Sequence, residues 1–375
     1  MVSLRASSSV TADMGETSTT TAVGSVPTER SAPRRAAATV TVIVPAYNEA
    51  SSIAATVRSL RSQTLPPARI VVVDDCSSDG TDEIAQREGA VVVKPPKNTG
   101  SKAGAQNFAL PLVETPFTLT IDADTTLAPD ALEKIMAAFS DDRVAAACGF
   151  VLPQRVRSAW ERGRYLEYMF AFNFYKPIQD YYEKPLISSG CFSAYRTKVL
   201  RELGGWSTQT MAEDMDLTWT LYQRGWKVRF VPEAISYPLE PHDHNFVCKQ
   251  LKRWSHGFVQ NVRLHWRDIL HLNYLRSVVA VAFWDALVAS LAVLIVIPLL
   301  ALTVSPLFLL GYLIDAPAIL IPAVVGGIKR RELRRVLACY PGFLLLRMVN
   351  SWFMLKAMWS ELLVGRSLSV YEKGH

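Results

Sequence analysis

From residue 40 to residue 121 the chain alternates short apolar runs with amphipathic stretches. Residues 40–44 (VTVIV) read as a buried strand stopped by Pro45. Residues 53–62 put Ile53, Val57 and Leu60 on one face, which the helical period requires. A second strand at 70–73 ends in Asp74-Asp75, and the polar turn CSSDGT leads into a helix reaching Arg87. Residues 91–93 predict a third strand, 102–113 a helix and 117–121 a fourth strand. Strands alternating with helices in this way predict an α/β fold with a mostly parallel sheet. Ligands in such sheets bind beyond the carboxyl ends of the strands. The polar clusters PAYNE, DD and DAD should therefore line one crevice.

Further on, the pattern changes. Residues 160–182 are amphipathic and crowded with aromatics, which suits a packed core, a membrane-interface belt or a sugar-binding cleft. In ISSGCFSAYR (187–196) small residues surround Gly190 and permit close backbone approach. Glu213-Asp214 opens a helix whose inward face carries Leu217, Leu221 and Trp219. Carboxylates there serve as simple caps, or as anions stabilised by the helix dipole for use as a base. Gln250, Arg253 and Trp254 are spaced three and four apart and share one helical face.

After residue 277 the polar positions nearly vanish. Residues 277–304 are apolar apart from Asp285, and 306–328 apart from Asp315. Each is long enough to cross about 30 Å of hydrocarbon, and the short turn between them predicts a hairpin. Charges inside spans are functional candidates or seek basic partners. The run KRRELRR (329–335) marks a cytosolic flank by the positive-inside rule, placing the large N-terminal domain on that side too. Residues 336–364 are apolar but carry Arg347, Asn350, Lys356 and Glu361, so a third crossing, a re-entrant helix and an interfacial segment all fit.

Composition sharpens this picture. Half of the 375 residues are hydrophobic and the net charge is only +6. The basic residues cluster near the apolar third, which favours a membrane surface over nucleic acid. The five cysteines form no C-x-x-C pair and read as reduced, mostly buried thiols. Residues 1–38, rich in Ser, Thr and Ala, read as a disordered cytosolic tail, and Asp13, Glu16 and Glu29 argue against a transit peptide. No glycine-rich phosphate loop follows the first strand, which argues against dinucleotide-binding and P-loop enzymes.

The candidate chemistry centres on 117–129, FTLTIDADTTLAP. If the strand continues through it, Asp122 and Asp124 project the same way. Two close like charges call for a cation. Mg²⁺ or Mn²⁺ takes one or two carboxylates and completes its shell with phosphate oxygens. The plainer reading is an acidic turn capping the helix after Pro129.

The ordered motifs VIVPAYNE, VVDDCSSDGT, KAGAQN, DADT, SGCFSAYR, EDMDL and QLKRW resemble the membrane-integrated branch of family 2 glycosyltransferases. That branch includes the hyaluronan, chitin, cellulose and poly-N-acetylglucosamine synthases. The resemblance covers about residues 40–265, and Q-x-x-R-W points to its processive members. It implies a GT-A catalytic domain over 39–240, a Q-x-x-R-W segment and interfacial helix over 241–276, a transmembrane hairpin over 277–328, and a basic loop with a third membrane-associated helix over 329–375.

By the same resemblance, Pro45, Tyr47, Glu49, Asp74 and Asp75 would hold the donor's base and ribose. Lys102 and Asp122 would approach its diphosphate, and Asp124, with Asp122, would hold Mg²⁺ or Mn²⁺. Asp214 would be the general base with Glu213 beside it. Gly190, Gln250, Arg253 and Trp254 would contact the diphosphate and the acceptor's terminal sugar. Ala212 stands where the family usually has Thr, which removes a hydroxyl contact. The implied partners are a nucleotide sugar such as UDP-GlcNAc or UDP-Glc, a glycan or lipid-linked acceptor, and the lipid membrane. Transfer would invert the anomeric carbon. A single-sugar transferase and a non-catalytic membrane scaffold remain competing readings.

Overall fold

Strand β1 (Val40–Ala46) pairs in parallel with β2 (Arg69–Asp74) on one side and with β4 (Phe117–Ile121) on the other. The computed structural model describes residues 39–368, so the expected tail at 1–38 lies outside the described residues. Helix α1 (Ile53–Arg61) follows β1, α2 (Thr81–Arg87) follows β2, and β3 (Val91–Val93) pairs in parallel with β2. Helix α3 (Lys102–Ala109) precedes β4. Strand β5 (Thr125–Leu127), α4 (Ala131–Met136) and β6 (Val144–Val151) come next.

Helices α5 (Ala159–Phe170) and α6 (Lys176–Tyr181) follow, joined through a π-helical turn at Ala171–Tyr175. After them come β7 (Phe192–Arg196), α7 (Thr197–Glu202), α8 (Glu213–Gln223) and β8 (Lys227–Pro238). The eight-stranded order is β3-β2-β1-β4-β7-β6-β8-β5. Antiparallel β7 sits between β4 and β6, and β5 pairs antiparallel with β8; the remaining ladders are parallel. The predicted α/β sheet is thus mostly parallel.

The alternation of β1 and β2 explains their hydrophobicity. Ile43, Val71 and Val73 enter one core with residues of α3 and α8. Val42, Val44 and Val72 enter a second core with Ile53, Val57 and Leu60 of α1. A strand covered by helices on both faces must be apolar on both. Each of these buried aliphatic side chains contributes roughly 1.5–3 kcal/mol.

The C-terminal part is helical: α9 (His244–His271), α10 (Asn273–Trp284), α11 (Ile297–Thr303), α12 (Ala316–Lys329) and α13 (Leu333–Met358). Three stretches, Tyr274–Thr303, Pro306–Lys329 and Leu333–Val364, are long and apolar enough to cross a membrane. The second opens with a 3₁₀ segment, Pro306–Leu313, before α12 begins. Pro306 and the break at Asp315 account for this departure from one continuous helix. Arg347 of α13 bonds Asp315 and lies 4.0 Å from Asp285, so both span carboxylates have the basic partner the sequence called for.

Residues of β6 and α5 share a third core with Ile319 and Ala323 of α12 and Val336, Cys339 and Phe343 of α13. The α5 and α13 backbones meet at two glycines: a Cβ on Gly163 would lie 2.5 Å from the Gly342 carbonyl. The aromatic stretch divides accordingly. Tyr165 and Phe172 are buried, whereas Tyr181 is 82% exposed. All five cysteines are free, but only Cys148 and Cys339 are buried, because Cys76 falls in the exposed turn after β2.

Candidate active site

The loops after β1 and β2 build the first wall. Asn48 adopts a left-handed φ of 53°, a conformation Asn tolerates better than most residues. Its N–H donates to Ser77 Oγ at 2.9 Å, and its Oδ1 accepts from the Ser78 N–H at 2.9 Å. The Glu49 N–H donates to Thr81 Oγ1 at 2.7 Å, so each loop fixes the other. Tyr47 is left 42% exposed at the rim, next to Pro45 at the strand end. Glu49 and Asp75 are buried, and Asp74 is fully so. Asp74 Oδ1 accepts from the Ser77 N–H at 3.1 Å, and Lys94 lies 3.3 Å from Oδ2. Asp75 takes Thr99 N–H at 2.8 Å and Thr99 Oγ1 at 2.9 Å.

Strand β4 ends at Ile121, so Asp122 and Asp124 lie in the turn joining it to β5 rather than on the strand itself. The turn closes through Thr125 N–H to the Asp122 carbonyl at 3.1 Å. Thr56 Oγ1 pins it from α1 at the Ala123 carbonyl, 2.8 Å, and the Leu239 N–H, just after β8, pins it at the Asp124 carbonyl, 3.2 Å. The aspartates cap no helix: α4 starts later, after Asp130. Burial pushes the Asp124 carboxyl well above its usual range, and Asp122, Glu49 and Glu240 add to the rise. Such crowding of negative charge favours a cation.

Lys102, the first residue of α3, bonds the Asp122 carboxylate and donates to the Gly190 carbonyl at 2.9 Å. The Gly190 N–H donates to Asp214 Oδ2 at 2.7 Å. One ammonium and the backbone of one glycine thus bridge the DAD turn to the start of α8. A Cβ on Gly190 would sit 2.9 Å from Asp214 Oδ2 and 3.1 Å from Lys102 Nζ, so glycine is what the close approach admits. Burial works against the charge on Lys102, but Asp122, Glu213 and Asp214 outweigh it and raise its pKa. Burial and Asp214 raise the Glu213 carboxyl, while Lys102 and Arg253 pull it back.

The segment carrying Gly190 is suspended by side chains. Tyr222 Oη donates to the Pro185 carbonyl at 2.6 Å and Trp219 Nε1 to the Leu186 carbonyl at 2.8 Å. The Leu186 N–H donates to Gln179 Oε1 at 3.0 Å, Lys176 bonds the Ile187 carbonyl, and the Ser188 N–H donates to Thr218 Oγ1 at 2.9 Å. At the start of α8, Ala212 offers no cap, and Asn261 Nδ2 instead donates to the Ala212 carbonyl at 3.1 Å.

Gln250, Arg253 and Trp254 lie on α9. Gln250 and Trp254 both meet Arg164 of α5: its Nη2 donates to Gln250 Oε1 at 2.6 Å, and its guanidinium lies 4.6 Å from the Trp254 ring centre. Arg253 bears electrostatically on Glu213. Sequence reasoning missed Arg164 and Glu240. The only local trace of Arg164 was an ordinary i,i+3 pairing with Glu167, which reads as a solvated helix surface.

A mixed sheet of this order, with an acidic turn after β4 and a carboxylate at the head of α8, defines a GT-A glycosyltransferase fold. A mannosyltransferase from Pyrobaculum calidifontis, solved in complex with GDP-Man and Mn2+, shares it with a TM-score of 0.57 and 21% identity over 84% of this chain and 86% of that one. Residues 41–204 match the glycosyl transferase family 2 model, and the chain carries a domain of that family. A poly-beta-1,6-N-acetyl-D-glucosamine synthase of Staphylococcus aureus (strain COL) is 26% identical over 223 residues, 58% of this chain and 54% of the relative. The Staphylococcus epidermidis synthase of the same name is 25% identical over 223 residues, again 58% and 54%. The chain spans about half the length of the curated relatives it matches.

Proposed function

We propose that the chain transfers a sugar from a nucleotide-diphosphate donor, UDP-GlcNAc or UDP-Glc, to a growing β-linked glycan at the cytosolic face of a membrane. The observation that carries this reading is the Lys102–Gly190–Asp214 bridge, which sets a candidate base in the same crevice as the acidic turn. The similarity to the staphylococcal synthases supports a polysaccharide product, and the three apolar helices support a membrane setting.

In this reading Asp74, Asp75, Glu49 and Tyr47, with Pro45, receive the nucleoside. Asp214 accepts the proton of the attacking acceptor hydroxyl, which approaches opposite the leaving diphosphate, so configuration inverts. Lys102 and Arg253 offset the charge growing on the leaving group. Gln250 and Trp254 orient the acceptor, and Gly190 keeps the floor free of side chains.

The acidic turn fits a divalent cation through its crowded carboxylates. Among the described residues no group of three or more His, Cys, Asp or Glu is arranged to hold an ion. Asp124 and Asp122 would therefore share it with the donor's phosphate oxygens. Bound Mg²⁺ or Mn²⁺ would neutralise charge on the departing diphosphate. The Mn2+ of the P. calidifontis neighbour agrees with this choice.

The test supplies membranes carrying the chain with radiolabelled nucleotide sugars, with and without Mn²⁺. A metal-dependent ladder of products is expected. A single short product would replace the polymerase reading by single-sugar transfer to a lipid or other small acceptor. No transfer from any donor overturns the reading.

A further inference from the structure

Arg164 is 1% exposed, and its guanidinium is shared among four close partners that arrive from three parts of the chain, with the Tyr168 ring 5.8 Å away. Nη1 bonds Glu167 within α5, and Nε lies 3.5 Å from Glu240 Oε2 just after β8. Nη2 donates to Gln250 Oε1, and the planar group stacks over the Trp254 ring, both on α9. Glu240 is itself buried, which raises its carboxyl pKa; Tyr168 Oη donates to its Oε1 at 2.8 Å, and a side-chain hydrogen bond from Gln250 also pulls that pKa back down.

Replacing the arginine and its carboxylate partners together with apolar groups of similar volume would serve stability equally well. What a simple ion pair leaves unexplained is the other half of the arrangement. Two of the four partners are the amide and the indole of the Q-x-x-R-W motif. The guanidinium covers one face of Trp254, yet the residue keeps 37% of its surface exposed. An indole clamped on one face and open elsewhere has the form of a stacking platform for a sugar ring. The planar fork of Arg suits this double duty, because one edge binds the amide while its face stacks; Lys cannot do both.

We propose that Arg164 is the positioning residue of the acceptor platform: its guanidinium sets Gln250 and the Trp254 ring so that the acceptor's terminal sugar presents its hydroxyl to Asp214. This inference rests on the glycosyl-transfer reading above. It gives α5 a role that no motif assigns. Arg164 directly follows Gly163, where α5 touches α13, so the platform is registered against the candidate spans through one turn of helix.

The experiment uses the full chain in lipid nanodiscs, labelled with 5-fluorotryptophan, with the Trp254 fluorine line assigned by Trp254→Phe. Two variants are compared with wild type. Arg164→Lys keeps the charge beside Glu167 and Glu240 but loses the fork. Arg164→Met with Glu240→Gln removes the charge without stranding the buried carboxylate, since the remaining Glu167 is partly exposed to water, and guards against misfolding of either variant alone. In both, the Trp254 line is expected to shift or broaden. In steady-state transfer the acceptor KM should rise about tenfold while the donor KM holds, the scale of a lost cation–π contact and charge-assisted bond. In a Trp254→Ala background the further effect of Arg164→Lys should shrink to the part carried by Gln250, and with Gln250→Ala as well it should disappear. An unmoved Trp254 line, an equal rise in both KM values, or additive losses with Trp254→Ala would each overturn the proposal. A wild type that transfers no sugar from any nucleotide donor sinks the functional reading instead, and the fluorine line still decides whether Arg164 holds the ring.

Discussion

The two walls of the crevice hold their carboxylates by different means. On the wall proposed to receive the nucleoside, Asp74, Asp75 and Glu49 are held mainly by N–H groups and hydroxyls that neighbouring loops supply one bond at a time, as in Ser52 Oγ to Glu49 at 2.7 Å. On the opposite wall, Glu167 and Glu240 lean on one guanidinium, which also carries Gln250 and Trp254. Distributed neutral donors tolerate the loss of any one member. A shared buried charge does not, because removing it strands everything that faced it. The wall we assign to the nucleoside is built to stay in place, and the one we assign to the acceptor is built as a single coupled unit.

That contrast can be broken in several ways. Asp214→Asn should lower transfer by about 10²–10⁴-fold, the usual worth of a general base, while calorimetry finds nucleotide binding nearly unchanged. Loss of nucleotide binding in the folded variant would mean that Asp214 belongs to the donor wall after all. Arg164→Met alone should cost about 3–5 kcal/mol of stability, read as the denaturation midpoint in detergent. Asp75→Asn on the other wall should cost only about 1–3 kcal/mol by the same assay. Similar costs would erase the distinction between the walls.

Lys102→Met tests the bridge between them. Lys102 draws the Glu213 carboxyl down against burial and Asp214. Without it that carboxyl titrates higher, so the acid limb of the pH–rate profile should move upward. An unmoved limb would show that Glu213 does not report on the catalytic state.

The smallest effect lies outside both walls. Hydrogen bonds from Arg143 hold the Asp141 carboxyl well below the usual carboxylate range. A depressed folded value contributes stability above the unfolded pKa of about 3.9, lost as pH falls through the folded value. Asp141→Asn should therefore melt slightly earlier than wild type at neutral pH, and the difference should vanish in strong acid.

Much of the nucleoside wall was legible in the chain because its determinants are local. Val42, Val44, Val71 and Val72 announce strands by being apolar on both faces, and the polar residues that follow them fall into loops at one sheet edge. Even there, the alternation argument for Asp122 and Asp124 failed, since pairing stops at Ile121 and a turn brings the carboxylates together. The acceptor wall was legible only in its motif. Arg164 and Gln250 stand 86 residues apart and Tyr165 and Glu332, which bond at 2.6 Å, 167 apart, and no periodicity encodes such pairings. The charges within the candidate spans were an intermediate case: the sequence left Asp315 open to a basic partner or a polar passage, and only the fold could name Arg347.

The suspended segment at 185–190 has a consequence for how this protein could change over time. Its course is dictated by Tyr222, Trp219, Gln179, Lys176 and Thr218 rather than by ladder bonds to a neighbouring strand. A floor hung on five cords can be re-levelled by altering one of them, with the sheet left untouched. If the proposed transfer holds, drift in sugar preference can then accumulate at positions that never meet the sugar. A survey of natural variants for donor choice would find its informative changes on α6 and along the buried flank of α8.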